Sequence, residues 1–320
     1  MNENSTIALW EQEIEENPMH SNYGFFQENS MSINFLMESI DMDYKYCEMF
    51  GIHEGVMSTI KEKILSAIGK LIEWVKGLIE KITNFFKGGA ISAKRVEANF
   101  KGVKATGEST FLFEDASEEK IKECNEAIYK YLQDNSPVYV FRQGNAVPGF
   151  DEIEELENDF VKALNSKDID DIWSNLDGRL NNRFNGNLDE YFKEQVDTYS
   201  KSPLSANTDY VKNGMKYFMS DFIRIDKYIE SAPKKLDKIK KLLNMAEDNI
   251  KRIEIKEENK AKYRIYSKFI KELTAMQKII NKSLSELLKT RRVIAHISMM
   301  VYKCNNMSTE NTYAAKYDSE

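Results

Sequence analysis

Apolar residues between Gly55 and Gly89 recur with the period of a helix. Met57, Ile60, Ile64, Ile68, Leu71, Val75, Leu78, Ile82 and Phe85 step by threes and fours, and Leu65, Ile72, Ile79 and Phe86 widen the stripe. Lys61, Lys63, Lys70, Lys76, Lys81 and Lys87 outnumber Glu62, Glu73 and Glu80, and Gly88-Gly89 offers a C-terminal stop. The spacing predicts an amphipathic helix over 55–88, a rod of roughly 45 Å at 1.5 Å per residue.

The last hundred residues carry the same period over a greater length. Tyr210, Val211, Met215, Phe218, Met219, Phe222, Ile225 and Ile229 share one face, and Ser231-Ala232-Pro233 predicts a break with a fresh helix N-terminus. The pattern resumes through Leu236, Ile239, Leu243, Ala246, Ile250 and Ile253, is interrupted by polar residues over 256–262, and continues from Tyr266 to Val301. This predicts a long antiparallel helical hairpin over 207–304 with a coiled-coil-like seam, followed by a flexible polar tail over 305–320.

Elsewhere the elements are shorter. Residues 1–54 form an acidic segment with helices expected over 7–16 and 32–49, a break at Asn17-Pro18 and a stop at Gly51. Residues 89–116 read as a linker or irregular strand. An acidic helical middle domain over 117–206 opens with Ser117 as N-cap and Glu118 and Glu119 in the first turn, where acids suit the helix dipole. Within it, further helices are expected over 150–164, 168–180 and 188–199, a short strand over 137–141 and a turn over 144–149. The fold class that follows is mainly α, a multi-helix protein with at most one small β element. Few Gly and Pro support this.

Charge divides the chain. Residues 1–54 hold eleven acids against the single base Lys45, whereas residues 207–304 hold 23 Lys and Arg against 12 Asp and Glu. Either the two ends face different partners, or each other, or they are solvated helix faces of opposite sign. Cys47, Cys124 and Cys304 are odd in number and far apart, which argues against a disulfide framework and for a reducing compartment. The acidic N-terminus has neither the basic start nor the apolar run of a secretory signal, and no window has the length of a membrane-spanning helix. A soluble protein made in a cytoplasm is expected.

Local chemistry is sparse. His20, His53 and His296 occur without Cys or acid at metal-ligand spacing, and there is no P-loop, GxGxxG or GxSxG. In 181–192 Arg183 occupies a calcium-ligand position and Phe192 the place of the bidentate Glu, which rejects a calcium loop. Pairs such as Glu154 and Glu155, or Asp168, Asp170 and Asp171, are better explained by helix starts than by acid-base catalysis. A non-enzymatic protein without metal or cofactor is expected.

The stripe of 55–88 admits two readings. It is the core face of a bundle, or it is a membrane- or partner-binding face built from Ile64, Ile68, Leu71, Trp74, Val75, Leu78, Ile82, Phe85 and Phe86 with Lys63, Lys70 and Lys81 at its flanks. On the second reading the acidic segment masks the helix until an anionic membrane surface competes. The basic hairpin offers Lys234, Lys235, Lys238, Lys241, Arg291 and Arg292 as phosphate contacts to DNA, although no recognised nucleic-acid-binding signature accompanies them.

The acidic stretch EENPMHSNYGFFQENSMSINFLMESI followed by IKEKILSAIGKLIEWVKGLIEKITNFFK resembles internal or accessory virion proteins of large tailed bacteriophages. The resemblance covers about the first 90 residues. It implies a non-enzymatic virion component acting in assembly or host interaction, with other virion proteins or a second copy of itself as partners. A membrane-active effector and a DNA-associated protein are the alternatives.

Overall fold

The computed structural model describes residues 23–51, 54–87, 92–101, 103–105, 111–113, 117–135, 149–150, 152–165 and 214–317. Helix α1 spans Tyr23–Phe50, starting earlier than Ser32, and stops at Gly51, whose φ of 87° is the left-handed conformation that glycine adopts cheaply. Helix α2, Glu54–Lys87, is the predicted amphipathic rod. Helix α3 (Ala93–Asn99) is capped by the Ser92 side chain, which accepts from the Arg95 N–H. A two-stranded antiparallel ribbon follows, β1 (Val103–Ala105) with β2 (Phe111–Phe113), pairing Lys104 with Leu112. It lies within the segment expected to be a linker or irregular strand.

Helix α4, Glu118–Asp134, begins where expected, with the Ser117 side chain accepting from the Lys120 N–H. Helix α5, Ile153–Asn165, follows a turn at Gly149 (φ 85°), where an added Cβ would sit 2.7 Å from Ile280 Cγ1 and so only glycine lets the turn approach. The expected helices over 7–16, 168–180 and 188–199, the strand over 137–141 and the break at Asn17-Pro18 lie outside the described residues.

The predicted C-terminal hairpin is present as α6, Gly214–Arg252, and α7, Lys260–Tyr317, joined by a short turn containing a 3-10 segment at Glu257–Asn259. One expectation is corrected: no helix break occurs at Ser231-Ala232-Pro233, and α6 runs straight through Pro233. Proline forfeits one backbone bond, but Ile229, Ala232 and Leu236 remain fully in register on the buried face, and packing of that continuous row offsets the loss. The helix also runs on past Asn305, through most of the stretch expected to be a flexible tail, because Met299 and Val301 bury near its last long-range contacts and nothing in the sequence beyond them breaks a helix.

Four long helices form the body. α1 and α2 run in opposite directions, as do α6 and α7, and α2 lies against α1, α6 and α7. Lys61 ties one end together by donating to the carbonyls of Lys251 (3.2 Å) and Ile253 (2.8 Å), which the end of α6 leaves without intrahelical partners. α7 is the hub: α3, α4 and α5 also pack on it, so it is buried around most of its circumference from Tyr263 to Val301.

Candidate functional site

The apolar stripe of α2 faces inward. Ile64, Ile68, Leu71, Trp74, Val75, Leu78 and Ile82 are each at most 2% exposed. Trp74 donates its indole N–H to Asn281 Oδ1 of α7 at 3.1 Å, which satisfies the one polar atom of a fully buried side chain. Phe85 and Phe86 are half-buried and meet edge to face at 5.2 Å. These residues share one face of α2, and the structure seats them against neighbouring helices.

The flanking lysines are held by the acidic segment. Lys63 donates to Asp43 Oδ2 and Ser39 Oγ, both at 2.6 Å, and Lys70 donates to Ser32 Oγ at 2.9 Å. Lys81 is half-buried, and burial pushes its ammonium pKa down. α1 also reaches the basic hairpin, where Glu48 pairs with Arg264 and Asp41 lies 3.8 Å from Lys271. The charge division along the chain is thus resolved within the molecule: its acidic helix lies across basic residues of α2 and α7.

The six basic residues proposed for phosphate contact do not form one surface. Lys234 and Lys241 are exposed, but Lys241 pairs with Asp237 at 3.0 Å, and Lys238 donates to Glu154 of α5 at 2.7 Å. That hydrogen bond, with the nearby charge, holds the Glu154 carboxyl below and the Lys238 ammonium above their ordinary values. Lys235 Nζ lies 5.9 Å from the Tyr228 ring centre. Arg292 is half-buried, and burial pushes its guanidinium pKa down against the opposing effect of Tyr131.

Arg291 is 5% exposed and belongs to the core. Its Nε donates to Asp226 Oδ1 at 2.5 Å, and its guanidinium lies 5.0 Å from the Phe85 ring centre and 4.5 Å from that of Phe222. One cation therefore joins α2, α6 and α7 through a charged hydrogen bond and two aromatic faces. Sequence reasoning saw a basic residue and missed this role. The signal lay in the seven-residue spacing of Gln277, Leu284, Arg291 and Ser298 along one edge of α7, all of them buried.

Further polar groups line the same helix. Thr274 Oγ donates to the Ile270 carbonyl at 2.8 Å, and Ser298 donates to the Ala295 carbonyl while accepting from Asn99 Nδ2 at 3.2 Å. Gln277 is fully buried, yet neither atom of its amide finds a partner among the described residues. His296, half-buried, stacks on Tyr131 of α4 at 4.3 Å.

The cysteine expectation is corrected. Cys124 and Cys304 form a disulfide with a Cα–Cα distance of 6.2 Å across a sequence separation of 180. Cys47 is the odd one, buried and free. Spacing along the chain concealed the pair because α4 folds back onto the far end of α7, and the cysteine count consequently gives no argument for a reducing compartment.

Among the described residues no group of three or more His, Cys, Asp and Glu is placed to hold a metal, and no helix is long and apolar enough to cross a membrane. No protein-family model, curated protein or solved structure matches the chain.

Proposed function

We propose that this protein is a non-enzymatic helical scaffold of the internal or accessory virion type, acting in assembly or host contact, with α2 as its central strut. The observation that carries this reading is the enclosure of the α2 face from Ile64 to Ile82 between the acidic helix and the basic hairpin, with Lys63 and Lys70 tied to α1. Seven large apolar side chains buried on one rod are worth roughly 1.5–3 kcal/mol each relative to exposure, so opening this face would consume the stability of an ordinary domain. That cost supports the scaffold reading over one in which the face opens.

The test is flotation of the full chain with anionic vesicles, alongside Leu71→Asp/Leu78→Asp, with circular dichroism to establish the fold of each. The scaffold reading expects wild type to stay below the vesicle layer and the double variant to lose its cooperative unfolding transition. Wild-type flotation that a folded double variant loses would overturn it in favour of a membrane-active effector.

That second reading has one observation of its own. The contacts of Asp43, Ser39 and Ser32 with the α2 lysines are the ones a masking helix would make. Under it, removing residues 1–54 increases vesicle binding of the remaining chain. The DNA-associated reading is the weaker of the alternatives, because Arg291 is enclosed and acids interleave with the hairpin lysines.

A further inference from the structure

Helix α1 has a second apolar face. Ile33, Met37, Ile40, Tyr44 and Cys47 are buried against the bundle, while Met31, Phe35, Met42, Tyr46 and Met49 are 66%, 72%, 64%, 46% and 70% exposed. At 3.6 residues per turn the exposed five lie within an arc of about 60°, on the side away from the buried five, and span about 27 Å of helix. Scattered exposed apolar residues are ordinary, but a straight row of methionines and aromatics on an acidic helix is not.

We propose that this row is a self-association surface, on which α1 of a second copy packs antiparallel to form a two-fold dimer. Four of the five residues are nearly palindromic about residue 40, and Met42, whose counterpart position is Glu38, is the exception. A two-fold axis there sets Met31 against the second copy's Met49 and Phe35 against its Tyr46, the self-complementarity that an isologous interface requires. Charge agrees with this direction. Asp41, Asp43 and Glu48 are engaged by Lys271, Lys63 and Arg264 of their own chain, which leaves Glu38 and Lys45 as exposed charges along one edge of the row.

The antiparallel arrangement brings Glu38 of each copy within one helical turn of Lys45 of the other, twice over. A parallel two-fold pair would carry this edge of the two helices to opposite sides of the seam, so Glu38 and Lys45 would not meet across it. Five side chains of this size, mostly exposed, offer on the order of 600 Å² per copy, so a pair buries on the order of 1,200 Å², the lower end of specific interfaces.

A single helix of the length expected over 7–16 would span about 15 Å and cover only half of the row. Its Glu11, Glu13, Glu15 and Glu16 would add acid to an already acidic helix. A second copy fits the full length and the charges better. This inference concerns the face of α1 turned away from α2 and goes beyond the scaffold reading.

Sedimentation equilibrium of the full chain tests it. Wild type is expected to be a dimer, and Phe35→Glu/Met42→Glu, which alters only exposed positions, to weaken dimerisation on the order of a hundredfold with an unchanged helical circular dichroism spectrum. Glu38→Lys and Lys45→Glu should each weaken the dimer, and the two together should restore it. A monomeric wild type, a double-glutamate variant that still pairs, or charge reversals without mutual rescue would overturn the proposal. Vesicle flotation separates the causes. Binding lost with Phe35→Glu/Met42→Glu would assign the row to lipid and sink the pairing, whereas binding that survives it would implicate α2 and sink the scaffold reading instead. A monomer that does not float sinks the pairing alone.

Discussion

α2 and α7 are both long helices in the core, yet they are buried in different ways. α2 buries one stripe and keeps Glu62, Glu73, Lys76 and Glu80 exposed, so its amphipathic period reports its environment directly. α7 is surrounded by α1, α2, α6 and three smaller helices, and apolar and polar residues alternate into the interior around most of its circumference. A helix buried along one stripe is written in its periodicity. A helix buried around most of its circumference is written in the pairing of its polar residues, which periodicity does not register.

The sharpest way to break this contrast is to remove one partner of a buried pair on α7. Asp226→Ala leaves the Arg291 guanidinium enclosed without its carboxylate and is expected to cost about 3 kcal/mol in urea unfolding. A loss below about 1 kcal/mol, the range of a surface pair, would mean that Arg291 is held in place without Asp226.

A smaller effect of opposite sign is expected at Gln277. Its amide lacks partners among the described residues, so Gln277→Leu should be neutral or stabilising by about 1 kcal/mol. Destabilisation by a comparable amount would show that the polar position fixes the register of α7.

The smallest effect is a pH dependence at the α1–α7 contact. Burial pushes the Tyr44 phenol from its ordinary 10.0 up to about 12, with Arg264 opposing. Between these values the unfolded chain loses the proton that the folded chain keeps, so stability falls as pH rises from about 10 toward 12. Tyr44→Phe should flatten this alkaline limb in melting curves, and an unchanged slope would place its origin at other buried tyrosines such as Tyr263 and Tyr266, whose pKa values burial also raises.

What was legible in the sequence divides along the same line. The α2 stripe, the Ser117 cap, the Gly51 stop and the two arms of the hairpin follow from local rules, because each depends on neighbours three or four residues away. Passage through Pro233 did not, since the proline signal is local whereas the packing that overrides it comes from other helices. Arg291 was taken for a surface cation because charge is visible in a sequence and enclosure is not. The pairing of Lys63 with Asp43 was anticipated only as an attraction between oppositely charged segments. Exposure of Met31, Phe35, Met42 and Met49 was invisible, since two apolar faces on one helix read as a single broad one.

The bond between Cys124 and Cys304 closes a covalent ring that contains α5 and nearly all of the hairpin. Such a chain is topologically a loop with two tails, so a protease cut inside the ring leaves one molecule on a non-reducing gel. The same ring cannot be drawn through a channel that admits one extended strand until a thiol has opened it.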